Sequence, residues 1–437
     1  MRCHRLISTC LWCMVLLLVA SRVLAQRDGF ERPPIDYLNT EVHDPVANLA
    51  SKIQAGKTVL AYEPNFGYLK SVLKELGVSV NSQTLVFSKT SLQLQRISPR
   101  RPRALYFNDD VYVGYCQQGD VLEFAATDAK QGATFYTLEQ TDDGNPRIIR
   151  DRGVCLSCHA SGRTQNVPGY LVRSVFTEVT GQPRLGFRSY TTDHTSDIKE
   201  RWGGWYVTGL HGSMRHMGNT LSTDNEQDFD REVGANQIDL TNRFRRDSYL
   251  SAQSDIVALM VLEHQTQMHN AIAAANYETR QALYQSCEMN EILNRPRDQV
   301  SDSAKRRIAS STDRVLKYLL MCGEFRLTDT VCGSTRFAQE FTALGRKDSK
   351  GRSLRDFDLK TRLFRYPCSY LIDSAAFEGL PAEVRLDVIS RLKAILDGRD
   401  TSPEYAHLST ETRREILEIL SETKPDFHWS PLAVNRN

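Results

Sequence analysis

The run Cys155-Leu156-Ser157-Cys158-His159 joins residue types and a spacing that carry a specific chemistry. Thiols three positions apart can each add to one of the two vinyl groups of a single porphyrin, which places the next residue's imidazole under the iron. Cys-x-x-Cys-His is the attachment signature of c-type haem. The run occurs once, so one haem c is expected, covalently held through Cys155 and Cys158 with His159 as an axial ligand. Other uses of the pair compete. A structural zinc site takes four ligands, normally from two such pairs, and no second Cys-x-x-Cys is present. A redox dithiol gives His159 no role. A structural disulfide stays open for an oxidising compartment.

Redox behaviour depends on the second axial ligand and on the pocket, and two segments offer candidates. Arg201–Asn219 holds five glycines, two tryptophans, two histidines and two methionines. Glycines allow close backbone approach, Trp202 and Trp205 could flank a porphyrin, and Arg201 or Arg215 could pair with propionates. His216, His211, Met214 or Met217 would then supply the sixth ligand; the plainer alternative is a tight loop anchored to the core by its aromatics. In the second segment Met260, His264 and Met268 share one helical face, which makes His264 a candidate. His269 lies about 140° away from His264 around that helix. His194, in Thr192-Asp193-His194-Thr195, reads as a turn residue, and an open iron site is the remaining option.

Elements of two kinds must position these groups. Short runs at 105–107, 111–113, 121–124 and 134–138 are rich in aromatic and β-branched residues and separated by turn residues, a meander of strands. Residues 170–179 and 184–190 read as a hairpin around Thr180-Gly181-Gln182-Pro183. Helices are expected at 46–53 and 68–76, then at 255–284 with Ser254 as cap, and at about 302–321, 336–343, 381–397 and 410–422. Residues 26–45 read as an extended lead-in, and the charged string Arg352–Asp358 as a solvated face. The fold class is α+β: a strand-rich haem-bearing region over 26–220, followed by a mostly helical region over 221–437, unlike a helical class I cytochrome c domain.

Residues 1–25 have a basic start, a ten-residue apolar core at Leu11–Ala20 and a small-residue cleavage site at Val23-Leu24-Ala25. That is the layout of a secretory signal peptide, its core about half the roughly 20 residues that span a bilayer. The expected protein is therefore exported, periplasmic or otherwise extracytoplasmic, without an integral membrane segment after cleavage. Without residues 1–25 the formal charge is −1, which gives no electrostatic reason to expect nucleic acid as a partner. Cys116, Cys287, Cys322, Cys332 and Cys368 remain besides the motif, and Cys322 with Cys332 is the first pair expected to form a disulfide.

Long runs of the chain resemble a family of exported bacterial proteins labelled cytochrome c domain-containing: Ser82–Ser91, Ala104–Gly114, Cys155–Arg173, Arg201–Asn219, Glu263–Asn270 and Leu363–Leu371. The resemblance covers most of the chain after residue 25 and implies a single c-type haem; the family's label names no reaction. Electron transfer with an unknown redox protein is the leading expectation. A haem enzyme with an open iron acting on peroxide or another small oxidant, and a haem-based sensor or binding module, are the alternatives.

Overall fold

A computed structural model describes residues 29–427. The expected signal peptide lies outside the described residues. The elements follow in order: α1 (Pro45–Gln54), α2 (Leu69–Glu75), β1 (Thr84–Val86), β2 (Arg103–Phe107), β3 (Val111–Tyr115), β4 (Val121–Asp128), β5 (Gly132–Glu139), β6 (Ile148–Arg150) and the short α3 (Leu156–His159). Next come β7 (Arg173–Val175), β8 (Ser189–Thr191), β9 (Trp205–Tyr206), β10 (Gly209–Leu210), α4 (Ile256–Ile292), α5 (Asp302–Leu319) and β11 (Cys332–Gly333). Helices α6 (Phe337–Ala343), α7 (Ala375–Glu378), α8 (Ala382–Leu396) and α9 (Thr410–Thr423) complete the chain. The protein is α+β, strand-rich first and then mostly helical, as its composition of runs predicts. The lead-in differs from expectation: residues 29–42 form a succession of turns, with Ile35 and Tyr37 buried.

Seven strands form one antiparallel sheet in the order β6-β5-β4-β3-β2-β1-β9. Strands β2 to β5 are the expected meander, and β6 adds a further antiparallel strand beside β5. The edge strand β9 comes from the glycine-rich segment, pairing Val86 with Trp205 and Leu85 with Tyr206. Only the ends of the expected hairpin at 170–190 pair as strands, β7 with β8 from Arg173↔Thr191 to Val175↔Ser189. Its middle is held by a single Thr177–Pro183 bridge, because proline cannot donate to a ladder.

Helix α4 runs through the centre. Asp255, not Ser254, caps it: the Asp255 carboxylate accepts from the amides of Val257 and Ala258 at 2.8 and 3.2 Å, while the Ser254 hydroxyl is used by Tyr206 O and Leu85 N. From Ile256 to Tyr277 every residue of α4 is buried, polar ones included. Buried polar groups must find partners inside the protein, and α4 finds them on all sides. Gln265 donates to Tyr112 and to Asn108 O, His269 to Asp109 O, and Asn270 to Tyr170 O. One hydrophobic core around α4 takes in Trp202, Trp205 and Leu156 from the first half and Leu316, Phe364 and Leu392 from the second. Among the described residues no helix is long and apolar enough to cross a membrane.

Candidate functional site

The haem motif follows β6 directly. Asp151 turns the chain there, its Oδ2 accepting from the amides of Gly153 and Cys155 at 3.0 Å each. The turn opens α3, in which the His159 amide donates to Cys155 O at 3.0 Å, so that Cys155, Cys158 and His159 lie on a single helical turn. Cys158 is exposed and Cys155 half-buried, and neither is in a disulfide. Burial, reinforced by the neighbouring Asp151, pushes the Cys155 thiol up to about 12. Exposed Val154 and Ile149 (65% and 54% accessible) give this surface an apolar rim.

His159 is held by Gly169 through two bonds. The Gly169 amide donates to His159 O at 2.8 Å, and the imidazole Nδ1–H donates to Gly169 O at 2.9 Å. Because a carbonyl only accepts, Nδ1 carries the proton and Nε2 keeps its lone pair. Among the described residues Nε2 has no hydrogen-bond partner. Desolvation lowers the His159 pKa, which favours the neutral ring that ligates metals. The Phe135 ring packs 4.9 Å from it.

Gly169 is itself positioned by α4. Asn270 accepts from the Tyr170 amide at 2.8 Å and donates to Tyr170 O at 2.7 Å. A Cβ on Gly169 would stand 2.3 Å from Asn270 Oδ1 and 3.1 Å from Thr164 Cβ. We therefore expect Gly169→Ala to displace the clasp on His159 and to cost about 1–3 kcal/mol by overpacking, read as a lowered urea midpoint. An unchanged midpoint would mean that the loop is free to shift.

The donor set suits haem c. Two unbridged thiols sit on one turn, and a neutral imidazole has its outer nitrogen free and its inner nitrogen fixed by a carbonyl, as metal-bound histidines usually are. Among the described residues no group of three or more His, Cys, Asp or Glu side chains is placed to hold a metal ion by itself, so the motif presents no ready protein-only zinc site.

The other expected site residues are dispersed. Trp205 reaches the strand that leaves the haem loop, its Nε1–H donating to Arg173 O at 2.7 Å. Trp202 is fully buried at φ +63°, 5.2 Å from the His216 ring and well inside the core. Its conformation is left-handed because Gly203 packs against Ser174, whose hydroxyl accepts from the Gly203 amide at 2.8 Å. Arg215 lies at the surface with its Nε/Nη2 edge on Glu232 and its Nη1 on the carbonyls of Gly212 and Met214. Arg201 is buried against Glu263. Met217 accepts a hydrogen bond from Ser174 at 3.6 Å.

The histidines proposed as second ligands each have a ring nitrogen engaged, although His216 Nε2 has no hydrogen-bond partner among the described residues. His216 Nδ1 accepts from the Gly218 amide at 3.0 Å, which puts the proton on Nε2; His211 Nε2 accepts from the Asn236 amide at 2.9 Å. His264 contacts Ser369 through Nε2 at 2.8 Å and His194 through Nδ1 at 3.3 Å. His194 sits in a turn, as expected, and is also a core residue, 3% accessible. Cys322 and Cys332 are not bonded to each other: Cys332 is exposed on β11 opposite Leu210, and Cys322 ends the turn after α5.

Residues near the motif that its spacing does not single out include Arg163 and Arg173. Arg173 lies within electrostatic range of both Arg163 and Cys158, and donates to Ser189 Oγ at 3.0 Å. Arg163 follows the motif by four residues, and the return of β7 past the loop sets Arg173 beside it. The chain matches no protein-family model, no curated protein and no solved structure, so the geometry of these residues and the motif itself carry the functional argument.

Proposed function

We propose that the chain is an exported haem protein with one haem c joined to Cys155 and Cys158 and ligated by His159, and that it acts in electron transfer. The observation that carries this reading is the clasp of Gly169 on His159 Nδ1, which leaves Nε2 free on the same turn as two unbridged thiols. When bound, the haem supplies an iron that cycles between two oxidation states. The Gly169 carbonyl fixes the ring tautomer of His159 and raises its basicity, which favours the higher oxidation state. Arg163 and Arg173 supply guanidiniums for propionates in place of Arg201 and Arg215, which are committed to Glu263 and Glu232.

A second reading is favoured by the engagement of His211, His216, His264 and Met217 with other partners. An iron without a protein ligand on its sixth side would make this a haem enzyme acting on peroxide or another small oxidant. Absorption spectra of the purified protein, made with the c-type maturation system, separate the two. Sharp reduced bands unchanged by carbon monoxide are the electron-transfer result. A carbon monoxide shift selects the open-iron reading, and absence of covalent haem overturns both.

A further inference from the structure

A cavity of about 210 Å³ lies away from the haem motif, between the segment that follows α6, the turn at Tyr370–Asp373 and the end of α9. That is several water molecules' worth, at roughly 30 Å³ each. Its floor is Arg355, only 8% accessible. The guanidinium carbon sits 4.6 Å from the Phe341 ring centre and 4.3 Å from that of Tyr370, packed against two perpendicular rings. One edge of the fork is used: Nη2 is paired with the Asp109 carboxylate. The other edge is not. Arg355 Nη1 is buried and has no hydrogen-bond partner.

A buried, charged donor left unmade is costly, and a second orphan lines the same cavity. Asp373 Oδ1 is buried without a hydrogen bond, although Arg346 and Lys424 stand 3.7 and 3.6 Å away, beyond hydrogen-bond reach. Arg355 is within electrostatic range of Asp373. The cavity therefore offers one cationic donor without a hydrogen bond and one carboxylate oxygen that is ion-paired with Arg346 and Lys424 but accepts no hydrogen bond, with Leu344 and Leu354 as apolar lining. Two cations around Asp373 leave little reason for an ammonium there, but a neutral hydroxyl can donate to it.

We propose that this cavity binds a small hydroxycarboxylate, its carboxylate on Arg355 Nη1 and its hydroxyl on Asp373. Arginine is the side chain that recognises carboxylates in fixed geometry, and a site that must hydrogen-bond a hydroxyl discriminates against the analogue lacking it. The assignment is independent of the haem.

Calorimetric titration of the full chain with sodium lactate and sodium glycolate tests it, with propionate, acetate and phosphate as comparison probes. Lactate or glycolate should bind with a Kd of about 1 mM or tighter, and propionate and acetate at least ~10-fold more weakly. Arg355→Gln should weaken binding at least ~10-fold. Because Arg355 also holds Asp109, that variant can fail to fold. Leu344→Trp, at a rim position 69% accessible, should block entry without touching the core. Absence of heat with either hydroxy acid, equal binding of phosphate, or binding unaltered in Leu344→Trp each overturns the proposal.

Discussion

Alanine at both Cys155 and Cys158 is expected to abolish the proposed covalent haem: after denaturation and acid–acetone extraction, the variant band should show no haem absorbance and the parent band should keep it. Nothing else near the motif can replace the thioether bonds. Among the described residues the remaining cysteines lie elsewhere: Cys116 and Cys368 in the core, Cys322 after α5, Cys332 on β11 and Cys287 on α4. Single variants separate the two thiols. Cys158, exposed, and Cys155, half-buried beside Asp151, should each retain haem by one bond when the other is removed. His159 keeps its Gly169 clasp in all three proteins, so any haem that stays should still be ligated on that side. Haem that survives denaturation in the double variant would sink the assignment of the motif.

Replacing Glu263 with alanine costs about 3–5 kcal/mol, the penalty of a buried ion pair losing one partner. Arg201 Nη1 donates to Glu263 Oε2 at 3.1 Å, and the side chains are 5% and 0% accessible. The orphaned guanidinium cannot discharge, because arginine does not deprotonate in proteins. It keeps bonds to the carbonyls of His194 and Ser196, which solvate but do not neutralise it. The reverse change, Arg201→Met, strands a group that can discharge. Desolvation already pushes Glu263 up to about 7 against the pull of Arg201, and removing the cation drives it further up. A carboxyl whose pKa is higher in the fold than in the unfolded chain favours the fold when protonated. That contribution is complete below its ordinary value and is lost as pH rises through the folded value. Arg201→Met should therefore be closer to the parent at pH 5 than at pH 8 in urea unfolding, whereas Glu263→Ala should show no such recovery. Equal deficits at both pH values in the two variants would mean that the pair is not electrostatically isolated from solvent.

The motif at 155–159 was legible because its chemistry is local: thiols and imidazole within five consecutive residues need only one helical turn to be placed. The strand meander and the helices after residue 255 were legible for a related reason, since periodicity and turn residues report burial one element at a time. What supports His159 was not. Gly169, Asn270 and Phe135 come from a loop, a helix and a strand that no short-range pattern joins.

The same limit explains the displaced expectations. Arg201, Trp202, His216 and His264 have the residue types of a haem pocket, but each is claimed by another partner: Glu263, the His216 ring, the adjacent Gly218 turn and Ser369. Arg352–Asp358 alternates in charge like a solvated face, yet Leu354 and Arg355 are buried because Phe341 and Tyr370 close over them. Sequence by itself therefore determined the fold class and most element positions and pointed to the proposed attachment chemistry, all set by neighbours within a few residues. Only the tertiary structure decided which polar groups α4 would satisfy, and so which side chains remain free to act, because a buried donor is matched by whatever group folding brings within about 3 Å, however far away in the chain.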